Sequence, residues 1–463
     1  KDLPALELLL ERLGVPRGTL RVARLKGRAN YLCYRRWSFA CSSPPDRIRD
    51  ARLLAKCVVW MQKTATGDRG ELALQRDGHL FTRISGSGAK GCPAQDGPCF
   101  LRKARNEAQG ADIVVVNHSL VLSDLKMGGG LLPKHDLLVI DEAHHLENTA
   151  TRHFGFDVSE VQIMDELQRL SGNTGVIANL VNSASEALIP LEMMHVKVEE
   201  TLAKATRATD TVRAMFGSIG DMTSLIISKE SAANDIRLND AVRNHPSWAA
   251  VSMAWENADL ALSALLGSMR GLSSKMEREN ENVDLEASLI NIAAAVETLH
   301  GQKTALQQAL SGSDPDMVCW ISIKRGGRPT TVHGAPLTVR STLREELFER
   351  ERSVVLTGGT LTDGGGFEHI RSAIGLEGGT ERALGSPFDY RKAAIVVTPS
   401  DIPEPGQPGY ARATGNVIAE IAIALKQRVL VLFTSYSAMD NVRSNIRADL
   451  ERQGVTLVAQ GVD

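Results

Sequence analysis

Residues 137–147 read LLVIDEAHHLE. Four apolar residues, Leu137 to Ile140, run directly into an Asp–Glu pair. A short aliphatic run bounded by polar residues predicts a buried strand. Carboxylates at the carboxyl end of a parallel strand suit phosphate chemistry: one can hold the Mg2+ that bridges the terminal phosphates of ATP, and the next can polarise the attacking water. Asp141 is assigned the first role and Glu142 the second, with His144 placed to sense the γ-phosphate. His145 is read as a loop histidine without a role. The bland alternative is a strand that ends in solvated acids.

Chemistry of this kind usually needs a second part, a glycine loop carrying Lys and then Ser or Thr, whose N–H groups and ammonium cradle the phosphates. No Gly-Lys followed by Ser or Thr occurs in the sequence. Nor is there a paired C-x2-C zinc pattern, an H-E-x-x-H or a G-x-S-x-G.

The 463 residues are enough for two to four domains, and 43% hydrophobic with 23% charged residues is ordinary for a globular chain. No apolar run reaches the ~18 residues that cross a bilayer, and the amphipathic N-terminus KDLPALELLLERLG does not read as a secretory signal. Six cysteines are too few for a disulfide scaffold of this length, which points to a reducing compartment and, where they cluster, to metal. Net charge is −2, but residues 1–110 carry 21 Lys+Arg against 10 Asp+Glu, a net of +11 that leaves −13 for the remainder. That asymmetry suits a region tracking a phosphate backbone, or a solvated basic face.

Along the chain, RDARLLAKCVVWMQKT predicts a helix and GADIVVVNHSLVLSDL a buried strand followed by polar punctuation. From about 157 to 312 only Pro190 and Pro246 interrupt apolar residues at helical spacing, which predicts several long antiparallel helices. Strand-like segments resume at MVCWISIK, SVVLTGGTLT and AAIVVTP. Five prolines between Pro387 and Pro408 mark a hinge. Residues 409–460 then read helix, strand, helix, strand, the alternation of a second parallel α/β domain.

Taken in order, LKGRANYLCYRR, GCPAQDGPCFLRKARNEAQGADIVVVNHSLVLSDL, LLVIDEAHHLENTA, VVLTGGTLT, GSPFDY, DIPEPGQPGY and RVLVLFTSYSAMD resemble the motifs of DinG-type helicases, relatives of the XPD helicases in superfamily 2. VIDEAHH matches their DEAH box letter for letter. The resemblance implies an α/β fold: two RecA-like parallel-sheet motor domains, with an inserted iron–sulfur domain and an inserted α-helical arch domain. The expected boundaries are motor domain 1 over 1–26, 112–151 and 326–400, the cluster domain over 27–111, the arch over 152–325 and motor domain 2 over 401–463. It further implies ATP-driven 5′-to-3′ movement on single-stranded or forked DNA in repair or replication. The implied cofactors are ATP, Mg2+ and a 4Fe–4S cluster. A cytoplasmic, nucleoid-associated bacterial monomer without membrane contact is expected.

Carried over residue by residue, the resemblance makes Cys33, Cys92 and Cys99 cluster ligands and puts Ser87 where the fourth cysteine is expected. Cys41 or Cys57 could substitute, although Cys57 lies in an apolar helix, and Cys319 reads as structural. A serine oxygen is a poorer donor to iron than a thiolate. Thr357 and Thr360 keep the outer positions of the family's T-S-A-T-L motif, which couples hydrolysis to movement, while Gly358 and Gly359 replace its serine and alanine. Thr434, Ser435 and Ser437 form a hydroxyl-rich turn at a helix start and are expected to contact the DNA backbone. Placed on the family's pattern, the chain begins downstream of the phosphate loop and stops before the C-terminal arginine motif. The expectation is therefore a fragment, ATPase-inactive by itself, of a helicase. The alternatives are a degenerate homologue that grips single-stranded DNA without turnover, and a cluster-free relative carrying a nuclease domain.

Overall fold

The computed structural model describes residues 8–9, 11–14, 16, 18–42, 48–72, 74, 78–87, 99–172, 175–186, 192–226, 235–277, 283–312, 314–323, 330–364, 366–425 and 428–460. It divides into two compact units, 1–381 and 382–463.

The first unit is organised by two parallel strand pairs, each bracketing a long excursion of the chain. Strand β1 (Val22–Arg24) leads into helices α1 (Tyr34–Ser42), α2 (Ile48–Met61), α3 (Gly78–Ile84) and α4 (Phe100–Gln109), and the chain returns as β2 (Ile113–Val115). β2 lies parallel to β1 with Val22 opposite Ile113. Helix α5 (His118–Lys126) follows, then β3 (Leu138–Ile140) and α6 (Leu146–Phe154). β3 pairs in parallel with β8 (Val354–Leu356), Leu138 opposite Val354, and everything between them forms the second excursion. Parallel strands need a crossover connection; here the crossovers have grown into packed bodies of their own.

The larger body holds β4 (Phe156–Ser159), α7 (Glu160–Ser171), α8 (Val176–Glu186), α9 (Glu192–Ile226), β5 (Asp235–Arg237), α10 (Trp248–Glu277), α11 (Val283–Leu310), β6 (Met317–Ile323) and β7 (Thr330–Pro336). Val212, Met215, Phe216, Ile219, Trp255, Leu262, Leu265 and Met269 are buried where α9 and α10 pack together. Helix α11 buries Leu289, Ile292, Val296, Leu299, Leu306 and Leu310 on the side that meets α10, α8, α7 and strands β4 and β7, while Glu297, His300 and Thr304 are exposed, the division expected of a helix with one face in the core. Long helices were expected here and, of the sheet, only the strand at MVCWISIK, which is β6. The sheet is antiparallel, in the order β4-β7-β6-β5.

The sheet's two faces follow from its register. Val158, Val332, Ile321 and Ile236 stand opposite one another on the inner face and are 7% exposed or less. One residue along, Asp157, His333, Trp320 and Arg237 form the matching row on the outer face. There the His333 ring lies flat on Trp320 (5.0 Å, 9°), Nδ1 bonds the Asp157 carboxylate and Nε2 reaches Ser322 Oγ at 2.8 Å. A one-residue slip would exchange the two rows, so the polar row and the apolar row specify the same register.

A further unit-1 segment, helix α12 (Glu368–Ile374), packs near α6 and buries Ile374 in the core shared by β3, α5 and α6. The second unit contains α13 (Tyr410–Leu425) and α14 (Tyr436–Arg452), joined through Ala419, Ala422, Val442, Ile446 and Leu450. The strands expected at AAIVVTP and RVLVLF have no strand partner among the described residues. Ile395 is 92% exposed, and Leu430 and Leu432 are each 85% exposed. Extended apolar chain becomes a strand only when a neighbour takes up its N–H and C=O groups. No helix among the described residues is long and apolar enough to cross a membrane.

Gly155 joins α6 to the sheet body and shows how tightly the two are fitted. Its backbone is ordinary extended chain, φ −83 and ψ −173. A Cβ there would lie 2.5 Å from the Gly334 carbonyl oxygen and 3.0 Å from that of Thr151. Both obstacles are backbone atoms, so glycine is required by space alone. Gly155→Ala should destabilise the fold by about 1–3 kcal/mol, the usual cost of overpacking, measurable by denaturant unfolding.

Candidate functional site

The acidic pair sits where the sequence places it, at the carboxyl end of β3. Both carboxylates are exposed, whereas Ala143 and Leu146, just beyond, are buried and tie the turn to the core. The turn is clamped from β8: Thr357 N–H donates to the Ile140 carbonyl (2.9 Å), and Ala143 N–H donates to the Thr357 carbonyl (2.9 Å). Asp141, Glu142 and Thr357 are thus brought together by backbone hydrogen bonds, and Thr360 follows in the exposed turn after β8.

Glu142 has φ 49 and ψ 44, the single non-glycine residue at positive φ among the described residues. The left-handed conformation costs a residue with a Cβ roughly 1–2 kcal/mol, and such strain persists where surrounding bonds over-determine it. Here Glu142 N–H donates to Asp141 Oδ1 (2.9 Å), and the Glu142 carbonyl accepts from His145 N–H (2.9 Å). A third restraint comes from outside the turn. Nε2 of His118, the first residue of α5, lies 2.9 Å from the Asp141 carbonyl oxygen.

His144 lies against the same carboxylate, its Nδ1 3.3 Å from Glu142 Oε2 but outside hydrogen-bond geometry. Its ring is 4.0 Å from that of His145. The sequence reading did not single out His118. The signal was weak but present: Asn117 ends a strand run and caps α5, its Oδ1 accepting from Leu120 N–H (3.0 Å), which places the next side chain at a strand-to-helix turn. Only the fold shows that this turn abuts one 23 residues downstream.

Gly358 and Gly359 are not forced by sterics. A Cβ on Gly358 would meet Leu361 at 3.4 Å and Ala143 N at 3.5 Å, and one on Gly359 would meet nothing within 4 Å. Neither has a positive φ. A serine–alanine pair would fit the same backbone.

The cysteine region is assembled by short backbone links. Leu32 and Ser85 form an antiparallel bridge, Cys33 N–H donates to the Ile84 carbonyl (2.8 Å) and Gly86 N–H to that of Tyr31 (3.0 Å). Arg36, 7% exposed, donates from Nη1 to the carbonyls of Ser85 (3.0 Å) and Ser87 (2.5 Å). Burial pushes its guanidinium below the usual range, with the like charge of Arg169 adding to the effect. A Cβ on Gly86 would lie 3.6 Å from Leu101, two residues beyond Cys99. Cys33, Ser87 and Cys99 therefore belong to one neighbourhood, while Cys92 lies outside the described residues. Among the described residues no three His, Cys, Asp or Glu side chains converge as a metal group. The donor set fits a cluster only in part: two of the expected thiolates, Cys33 and Cys99, are described, and a hydroxyl stands where a fourth is expected.

Cys57 is fully buried among Leu53, Trp60 and Phe81, where it packs as part of the core, and burial pushes its thiol up to about 11. Cys319 is 7% exposed on the sheet's inner face. In the second unit Thr434, Ser435 and Ser437 are exposed, and Ser435 caps α14 by accepting from Ala438 N–H (3.2 Å).

Glycine relieves the left-handed penalty at position 142, offset in part by the roughly 0.5–1 kcal/mol of chain entropy it adds to the unfolded state. Glu142→Gly should therefore leave the fold unchanged or stabilise it by up to about 1 kcal/mol, while Glu142→Ala gains nothing, as read from urea midpoints.

No protein-family model matches the chain. The 3′-5′ exonuclease DinG of Bacillus subtilis (strain 168) is 27% identical over 476 residues, covering all of this chain and 50% of the relative. The ATP-dependent DNA helicase YoaA of Haemophilus influenzae is 27% identical over 477 residues, with 100% and 65% covered. YoaA of Escherichia coli (strain K12) is 25% identical over 462 residues, with 97% and 64% covered. The chain thus spans between half and just under two thirds of these curated relatives. A solved structure named XPD_Helicase aligns at a TM-score of 0.41 and 13% identity, over 95% of this chain and 64% of its own, a level that adds no weight. Over nearly its whole length the chain is similar to the DinG and YoaA proteins.

Proposed function

We propose that the chain is part of an ATP-dependent DNA helicase that moves 5′ to 3′ along single-stranded DNA. The observation that carries this reading is the Asp141–Glu142 pair at the end of a parallel strand, locked by backbone bonds to Thr357 of the neighbouring strand. Asp141 holds Mg2+ on the terminal phosphates of ATP, and Glu142 orients the water. His144, beside the Glu142 carboxylate, senses the leaving phosphate. Thr357 and Thr360 carry that change along β8. The names of the YoaA relatives agree with this reading; the exonuclease named in Bacillus subtilis belongs to a protein of which this chain covers half. Thr434, Ser435 and Ser437 contribute contacts to the DNA backbone from the second unit.

Cys33, Cys92 and Cys99, with Ser87 as an oxygen donor, are the residues that would hold an iron–sulfur cluster in the first excursion. Such a cluster cross-links the segments that ligate it. A second reading, a homologue that binds single-stranded DNA without turnover, is favoured by Gly358 and Gly359, because neither space nor backbone conformation requires glycine there.

In the full-length protein, DNA-stimulated ATP hydrolysis should fall by about 100-fold or more on Asp141→Ala or Glu142→Gln, with single-stranded DNA binding retained. Hydrolysis unchanged by both substitutions would sink the motor reading. No hydrolysis in the unsubstituted protein, with tight DNA binding, would support the second. Anaerobically purified protein should hold fewer than about four irons per chain, and Ser87→Cys should raise iron and sulfide together towards that number, as read by metal and sulfide assay.

A further inference from the structure

We infer that His118 is a positioning residue for the acidic pair, holding the Asp141–Glu142 peptide in the orientation that aims the Glu142 carboxylate. This rests on the reading of Asp141 and Glu142 given above. The Asp141 carbonyl belongs to the planar peptide that joins the two acids. Fixing that oxygen fixes the plane, and with it the ψ of Asp141 and the φ of Glu142. Glu142 is the residue whose left-handed φ needs such fixing.

The other restraints on the turn are local or come from the strand pair: Asp141 Oδ1 to Glu142 N–H, His145 N–H to the Glu142 carbonyl, and Ala143 N–H to Thr357. His118 is a side chain acting from a separate strand-to-helix turn, held there by the Asn117 cap. A carbonyl oxygen only accepts, so Nε2 carries the proton in this contact. Neutral and protonated imidazole both present that N–H. His118 thus holds the peptide as a hydrogen-bond donor, without exchanging a proton.

The role separates from general acid–base catalysis and from simple packing by three measurements on the full-length protein. His118→Ala should lower kcat for DNA-stimulated ATP hydrolysis by about 10–100-fold, the usual loss when a group orienting a metal ligand is removed, with KM for ATP within about twofold. The loss should be the same across neutral pH, because no ionisation is involved. His118→Gln, whose amide N–H can reach the same carbonyl, should restore most of kcat, while His118→Leu should not.

Wild-type kcat in both His118→Ala and His118→Leu, alongside an inactive Glu142→Gln control, overturns the inference and leaves the motor reading intact. An equal loss in His118→Gln and His118→Ala, or a vanished limb of the pH profile, overturns it in favour of a proton-transfer role. A fully active Glu142→Gln control overturns the inference and the motor reading together. Should His118→Ala unfold, the comparison of folded His118→Gln with folded His118→Leu carries the test.

Discussion

The parallel pairing of Leu138–Ile140 with Val354–Leu356 is the constraint on which the rest of the first unit depends. Three residues on each side are a small amount of sheet, and the chain between them is the largest part of the unit. Loop-closure entropy rises only slowly with length, and a connection that folds into its own body has already lost most of that freedom. The helices and antiparallel sheet of the second excursion are therefore part of what makes so short a pairing possible. In return, the pairing sets the DEAH turn: Ile140 and Ala143 are bonded to the same residue, Thr357, one through each of its backbone groups. A displacement of β8 by one residue would remove both bonds.

This arrangement explains what could be read from the sequence. LLVID and SVVLT are aliphatic runs with abrupt polar ends, and both form strands with the acids and threonine at the predicted ends. The long helices of the second excursion were legible for the same reason: burial by neighbours leaves a 3.6-residue pattern. Of the antiparallel sheet only β6, at MVCWISIK, was legible. β4 and β5 are 4 and 3 residues long, too short for an alternating pattern to stand out, and Phe156–Ser159 continues directly into a helix. What identifies them is their partners in β6 and β7, and pairing partners are not local information.

The candidate site shows the same division. Asp141 and Glu142 could be named because their chemistry lies within one stretch of sequence. His118 could not, because its partner is a carbonyl oxygen, a group every residue possesses and no motif marks. Ser87 is the converse case, legible as a departure from a pattern. The structure adds that its carbonyl is held by the buried guanidinium of Arg36. The exposed apolar stretches at 395–397 and 429–432 carry strand-forming composition without a described partner, which is why composition alone read them as strands.

The two glycines after Thr357 bear on how a signal could leave this site. Glycine in a turn is commonly retained because a side chain would clash or a positive φ would be strained; neither applies to Gly358 or Gly359. Their effect is to lower the cost of backbone rearrangement immediately after the residue that bonds both Ile140 and Ala143. Glu142 on one side of that bond is strained and held by several partners, and the chain on the other side is loosened. On the motor reading proposed above, a γ-phosphate arriving or leaving at Glu142 would shift a rigid turn, and the shift would have to cross a compliant one to reach Thr360 and the chain beyond. On that same reading, stiffness upstream with compliance downstream favours hydrolysis over transmission, so the two should be separable properties rather than one.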